Sequence, residues 1–205
     1  RGAAVGSLHP LVAVARGNKG DVCEGGAFVF EGDPAAARAA RALVRALGGT
    51  LVVARSVDRA RYHGAAALVA TGAVAIAQGA TALFEAALTS PPTERELRAA
   101  VASLLRSVAS NVEVVGARRA LASPLLRDDT DTVARHLAAM GDLPTTRALY
   151  RAAVALVLDA LEADGAVKPG TVAAARRLVA EDGSSGHPPP DARSALDRAG
   201  PDRVK

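Results

Sequence analysis

From Gly64 to Phe84 no side chain ionises, and Ala, Gly, Val and Thr dominate the segment. Extended to its helix signals, it runs from Asp58, a capping residue, to Thr89. That is about 30 residues, or roughly 45 Å of α-helix at 1.5 Å per residue. A helix apolar on every side is enclosed either by protein or by lipid. Gln78 and the many Gly, Thr and Ala residues gain little from lipid, while Arg59, Arg61 and His63 crowd one end and Glu85 the other. The expectation is a buried central helix, with no membrane partner. Side chains this small let other backbones approach closely, so an intertwined homodimer is expected around it.

Composition narrows the rest. Half of the 205 residues are apolar but only 2% are aromatic, so the core must be Ala, Val and Leu. The formal charge is +4 and comes almost wholly from Arg, since Lys occurs only at 19, 168 and 205. The Arg residues are spread among Asp and Glu without a dense basic block, which argues against nucleic-acid binding. Cys23 stands alone, excluding an internal disulfide and a cysteine metal site, and no basic-then-apolar leader opens the chain. A cytoplasmic location is expected. The chain opens on Arg1 and its only Met is Met140, so processing, an unusual start or truncation is expected to have removed its beginning.

Before the long helix the pattern is α/β. Residues 3–9 read as a strand ending at Pro10, residues 16–26 as a glycine-rich mobile loop, and 27–31 as a strand with alternating Phe28 and Phe30. Asp33 and Pro34 open a helix that runs to Leu47 and stops at Gly48-Gly49. Residues 50–54 form a further strand. After Pro91-Pro92, Thr93 and Glu96 form a capping box for a helix carrying Leu97, Val101, Leu104, Leu105, Val108, Val112 and Val115 on one stripe. Asp129 caps a short helix with Val133, Leu137 and Met140. Thr145 or Thr146 begins another, with Leu149, Ala153, Leu156 and Ala160 along one face. Pro169 and Thr171 start a last helix that ends near Glu181. From Gly183 onward, Gly-Ser-Ser-Gly, three prolines and balanced charge read as a disordered tail.

Two ordered sets of residues carry a family resemblance. Ser7-Leu-His-Pro-Leu11, Phe28-Val-Phe-Glu-Gly-Asp33, Leu47-Gly-Gly49 and Arg61-Tyr-His-Gly-Ala-Ala66 form the first. Ala120-Leu-Ala-Ser-Pro124, Arg127, Asp129, Thr132-Val133 and His136-Leu137 form the second. Together, over roughly residues 5–162, the chain resembles the second part of a poorly characterised group of Rossmann-type oxidoreductases. That group has a helical C-terminal domain of the 6-phosphogluconate dehydrogenase type and is distantly similar to prephenate dehydrogenase.

The resemblance implies the trailing strands of a Rossmann-type sheet over 1–57, an all-α substrate and dimerisation domain over 58–181 built around one long central helix, and the tail over 182–205. It also implies NAD or NADP as cofactor and a small-molecule substrate. The chain departs from the group at Ala70-Thr71, where a Ser-Asn pair is usual, at Ala122-Ser123, where Thr-Gly is usual, and at Asp128, where Gly is usual. No Gly-x-Gly-x-x-Gly and no phosphate-loop Gly-Lys-Thr/Ser occurs.

The candidate chemistry lies in a few polar residues. His9, at a strand end before Pro10, is similar in setting to the catalytic His of prephenate dehydrogenases. Oxidation of an alcohol or amine needs a proton acceptor, and imidazole titrates near neutral pH; alternatively His9 satisfies a backbone carbonyl. Tyr62 and His63 open the long helix where the resemblance places the cleft. His63 is a candidate for catalysis or anion binding and Tyr62 for substrate contact; the plainer reading is a structural pair. Thr71, about two turns beyond His63, either replaces part of the missing Asn or bonds its own helix. Asn111 points into the cleft or to solvent, and Arg127 reaches a carboxylate or phosphate bidentately or forms an exposed ion pair. His136 with Asp128 and Asp129 lacks the further His or Cys a metal site needs. The leading expectation is the C-terminal part of an NAD(P)-dependent oxidoreductase. The lost Asn and the missing glycine turn leave a second reading open, a non-catalytic remnant or dimerisation module.

Overall fold

The computed structural model describes residues 2–17, 21–90 and 92–180. The expected disordered tail and the helix end near Glu181 therefore lie outside the described residues, as do positions 18–20 of the glycine-rich loop. The chain is a small mixed sheet followed by helices, and it divides into two compact units between Leu105 and Arg106. That division follows contact density, whereas the boundaries expected at 57 and 181 follow changes in element type and composition.

In the first unit, β1 (Gly6–Pro10) pairs antiparallel with β2 (Ala27–Gly32), which pairs parallel with β3 (Thr50–Ala54), in the order β1-β2-β3. The link between the parallel strands is α1 (Pro34–Ala46), since parallel neighbours need a crossover. The period-two alternation of β2 turns Phe28 and Phe30 to one face, where both are buried. Phe30 packs there with Ala37 and Ala40 of α1, flanked by Leu8 and Leu51. Gly48, at φ +65, ends the helix, and Gly49 N–H donates to the Val44 carbonyl. At Gly32 (φ +152) a Cβ would lie 2.4 Å from the Gly6 Cα, so only glycine lets the two strand ends meet.

Two local expectations change. The first strand begins at Gly6 rather than residue 3 and takes in Pro10. An edge strand tolerates that proline because one side of its ladder has no partner to receive an N–H. Asp33 precedes α1, but its side chain caps nothing in the helix; Oδ2 accepts the Val5 N–H at 2.8 Å instead.

α2 (Arg59–Ala87) is one unbroken helix of 29 residues, with Asp58 Oδ1 accepting the Arg61 N–H at 3.2 Å. The expected burial of this central helix is not met within the single chain. Gly79 is its buried residue, while Leu68 and Val69 are 69% and 73% exposed. By length and composition it could cross a membrane.

α3 (Glu94–Val115) opens with the expected box: Thr93 N–H donates to Glu96 Oε2 at 2.7 Å, and Glu96 N–H donates to Thr93 Oγ1 at 3.3 Å. Its stripe divides, with Leu97 and Val101 buried but Leu104, Val108, Val112 and Val115 exposed.

The second unit holds a 3-10 turn (Pro124–Arg127), α4 (Thr130–Ala139), α5 (Pro144–Ala163) and α6 (Pro169–Ala180). Its core joins Leu125, Val133, Leu137, Leu158, Leu161 and Val172. On α5 the inward stripe is Tyr150, Val154, Val157, Leu158 and Leu161 rather than the expected line, and Leu156 is 67% exposed. An Ala-rich helix offers two nearly equal apolar lines, and packing chooses between them. Pro144, not a threonine, begins it.

Candidate functional site

Strand alternation creates the site. With Phe28 and Phe30 turned toward α1, Val29 and Glu31 take the opposite face of the sheet. The register sets Ser7 opposite Glu31 and His9 opposite Val29, so these residues share that face. Arg59, Tyr62 and His63 are spaced i, i+3, i+4 on the first turns of α2 and therefore line one side of the helix. Ser7, His9, Glu31, Arg59, Tyr62 and His63 all border one small cavity of about 70 Å³.

The tightest contact is between His9 Nδ1 and the Tyr62 hydroxyl, at 2.6 Å. The rings of His9, Tyr62 and His63 stand edge to face, with centroids 5.3 to 5.7 Å apart. When Nδ1–H donates to the Tyr62 oxygen, the lone pair of the neutral imidazole sits on Nε2. Glu31 forms the polar floor: Oε1 accepts the Val57 N–H at 3.3 Å and Oε2 accepts from Arg59 at 3.1 Å. The same three rings border a second, larger groove of about 730 Å³, walled by Leu11, Val12, Ala66, Val69 and Ala70.

The structure thus brings His9, Tyr62 and His63 together. Thr71 is exposed, one position past the last groove residue Ala70. Asn111 and Arg127 belong to the second unit, both exposed, on α3 and at the end of the 3-10 turn. Ser7, Glu31 and Arg59 escaped the sequence reading. Their signal was faint but present: positions two apart from His9 and Val29 on paired strands, and an Arg three residues before Tyr62.

Near Arg127 the polar groups hold the second unit together. Asp128, at φ +57, binds Lys168 and accepts from Thr171 Oγ1 at 2.8 Å, and these partners hold its carboxyl below the ordinary Asp range. Asp129 caps α4 as expected, accepting the Thr132 N–H at 2.9 Å and the Thr132 hydroxyl at 2.6 Å, which lowers its pKa likewise. His136 Nδ1 lies 2.9 Å from the Tyr150 hydroxyl, whose pKa is pushed up by burial. Among the described residues no group of His, Cys, Asp and Glu could hold a metal ion.

The starts of α1 and α2 do not fit the phosphates of a dinucleotide. Helix starts bind phosphate through free N–H groups. α1 instead opens on Asp33 and Pro34, a carboxylate and a residue with no N–H, and α2 opens on the Asp58 carboxylate.

Residues 27–156 match the model of a domain of unknown function, DUF2520. The chain belongs to the DUF2520 family. The matched span takes in β2, β3, α2 and the Tyr62–His63 pair but begins after His9. The DUF2520 chain is also similar in fold to the crystal structure of protein TM1727 from Thermotoga maritima, with a TM-score of 0.60 at 21% identity. That likeness covers 78% of this chain but 62% of the Thermotoga protein, so the chain spans less than two thirds of its length. No curated protein matches the chain significantly.

Proposed function

We propose that this DUF2520 chain is the substrate-side part of an oxidoreductase of the Rossmann plus 6-phosphogluconate dehydrogenase-type helical class. It would act on a small molecule, as a homodimer in the cytoplasm. The observation that carries the reading is the His9–Tyr62 hydrogen bond at the seam of two adjoining cavities. Oxidation of an alcohol or amine releases a hydride and a proton. In the tautomer whose Nδ1–H donates to the Tyr62 oxygen, Nε2 of His9 is free to take the proton, and His63 closes the other side of the ring cluster. NAD or NADP enters by family resemblance and would take the hydride. The starts of α1 and α2 offer its phosphates no site, so in this reading a further part of the protein would hold it.

The experiment is calorimetric titration of the gene's whole product with NAD and NADP, beside a His9→Asn variant. Nicotinamide binding by both proteins with turnover lost in the variant supports the reading; no binding at all ends it. A second reading is favoured by the carboxylates at both helix starts and the bare surface of α2. It makes the chain a dimerisation module without a cofactor. An in-frame glycine-rich strand-to-helix turn encoded upstream of Arg1 would exclude it, and a stop codon there would favour it.

A further inference from the structure

The two cavities differ in chemistry but share a wall. The smaller has Ser7, Glu31 and Arg59 around it; the larger is lined by Leu11, Val12, Val69 and alanines of α2; His9, Tyr62 and His63 border both. A molecule whose reacting atom sits at His9 would therefore have a polar compartment on one side and an apolar one on the other. We propose that the substrate is amphipathic: a short head bearing an amine or hydroxyl donor sits against Glu31, and an apolar body lies in the groove along the first turns of α2. This rests on His9 being the reacting group of the proposed oxidoreductase.

The sizes agree with that division. About 70 Å³ holds a head of a few atoms, whereas about 730 Å³ lies in the range of ordinary small-molecule sites. Glu31 selects a donor head. Its carboxylate has about four lone-pair positions, and the Val57 N–H and Arg59 occupy two of its contacts. The side chains of Leu11, Val12, Val69 and the alanines carry no donor or acceptor that would specify a functional group, so this wall reads bulk and length.

At about 100° per residue, Gly64, Leu68 and Gly72 fall on one line of α2. Tyr62, Ala66 and Ala70 fall on another, roughly 160° round the helix. Val69, which also lines the groove, lies only about 60° from Gly72, so a second copy packed on the first line would reach the groove's edge.

The test is NMR titration of the chain, following the alanine methyl and imidazole signals. The probes are n-alkylamines from propyl to octyl, with matched n-alkanols and n-alkylcarboxylates. Affinity for the amines is expected to rise about four-fold per added methylene until the groove is full, with carboxylates of equal length weaker. Glu31→Gln keeps an acceptor for the Val57 N–H. It should erase the preference for amines while keeping the dependence on length. Ala70→Phe fills an exposed position on the groove wall, so folding is undisturbed, and should flatten the length dependence while keeping the head preference. Affinity independent of chain length, or a groove that opens only on dilution because a second copy fills it, overturns the proposal. These arms read binding alone, so loss of turnover in His9→Asn with the length dependence intact bears on the proton acceptor, and a missing length dependence bears on the groove.

Discussion

Gly72→Leu separates what α2 does within one chain from what it does in an assembly. A Cβ built on Gly72 meets nothing within 4 Å, and Leu68 one turn earlier is 69% exposed. Within a single chain the new side chain therefore clashes with nothing. Replacing Gly by Leu in a helix interior then stabilises the monomer by roughly 0.7 kcal/mol through helix propensity. If a second copy packs its helix on the Gly64–Leu68–Gly72 line, the sign reverses. Overpacking costs about 1–3 kcal/mol per site, and a twofold dimer contains the site twice. Association should weaken by roughly 2–6 kcal/mol, a loss of at least about 30-fold in dimer affinity. Gly72→Ala is the control, since it adds helix propensity with little bulk. Sedimentation velocity over a dilution series reads the assembly, and urea unfolding at the lowest concentration reads the monomer. We expect a variant that is more stable as a monomer and poorer as a dimer. An unchanged assembly mass with only the small gain in stability would show that this line faces solvent and that its small residues seat no second helix.

His9→Asn should lower kcat/KM of the gene's whole product by about 10²–10⁴, with circular dichroism unchanged because His9 is exposed; Tyr62→Phe should show a smaller loss and an altered pH profile. Leu158 is fully buried, so Leu158→Ala should cost about 2–5 kcal/mol, read as a lower urea midpoint, and an unchanged midpoint would refute the packing of α5 described here. Glu96, Asp128 and Asp129 all have folded pKa values lowered, chiefly by hydrogen bonds from Thr93, Lys168 and Thr132 respectively, from ordinary values of 4.5, 3.8 and 3.8. The unfolded chain therefore binds more protons through that range, so their stabilisation is complete above the ordinary carboxylate values and is lost as pH falls through the lowered ones. Melting temperature should drop below about pH 4, and Asp128→Asn should make the drop shallower; an identical slope would mean Lys168 and Thr171 contribute nothing through Asp128.

Local chemistry made much of the fold legible. Gly48-Gly49 ended a helix, Asp58 and Asp129 capped the next ones, and Thr93 with Glu96 formed its box, because each signal acts within four residues. Phe28 and Phe30 announced a strand with one buried face. His9, Tyr62 and His63 were legible as candidates from residue type and resemblance. Glu31, by contrast, looked like any strand-end carboxylate until the register set it beside Ser7 and within reach of Arg59.

The sequence alone determined which segments coil and which extend, with their ends good to a few residues, since those choices are settled between neighbours along the chain. Tertiary structure decided everything that depends on separation in space. It joined His9 to Tyr62 across the cleft, chose one of two apolar lines on α5, and turned Asp33 toward Val5 instead of its own helix. It also left α2 bare. An apolar side chain carries the same transfer free energy whichever surface covers it, so the letters alone could not say that this chain's own fold would leave the helix exposed.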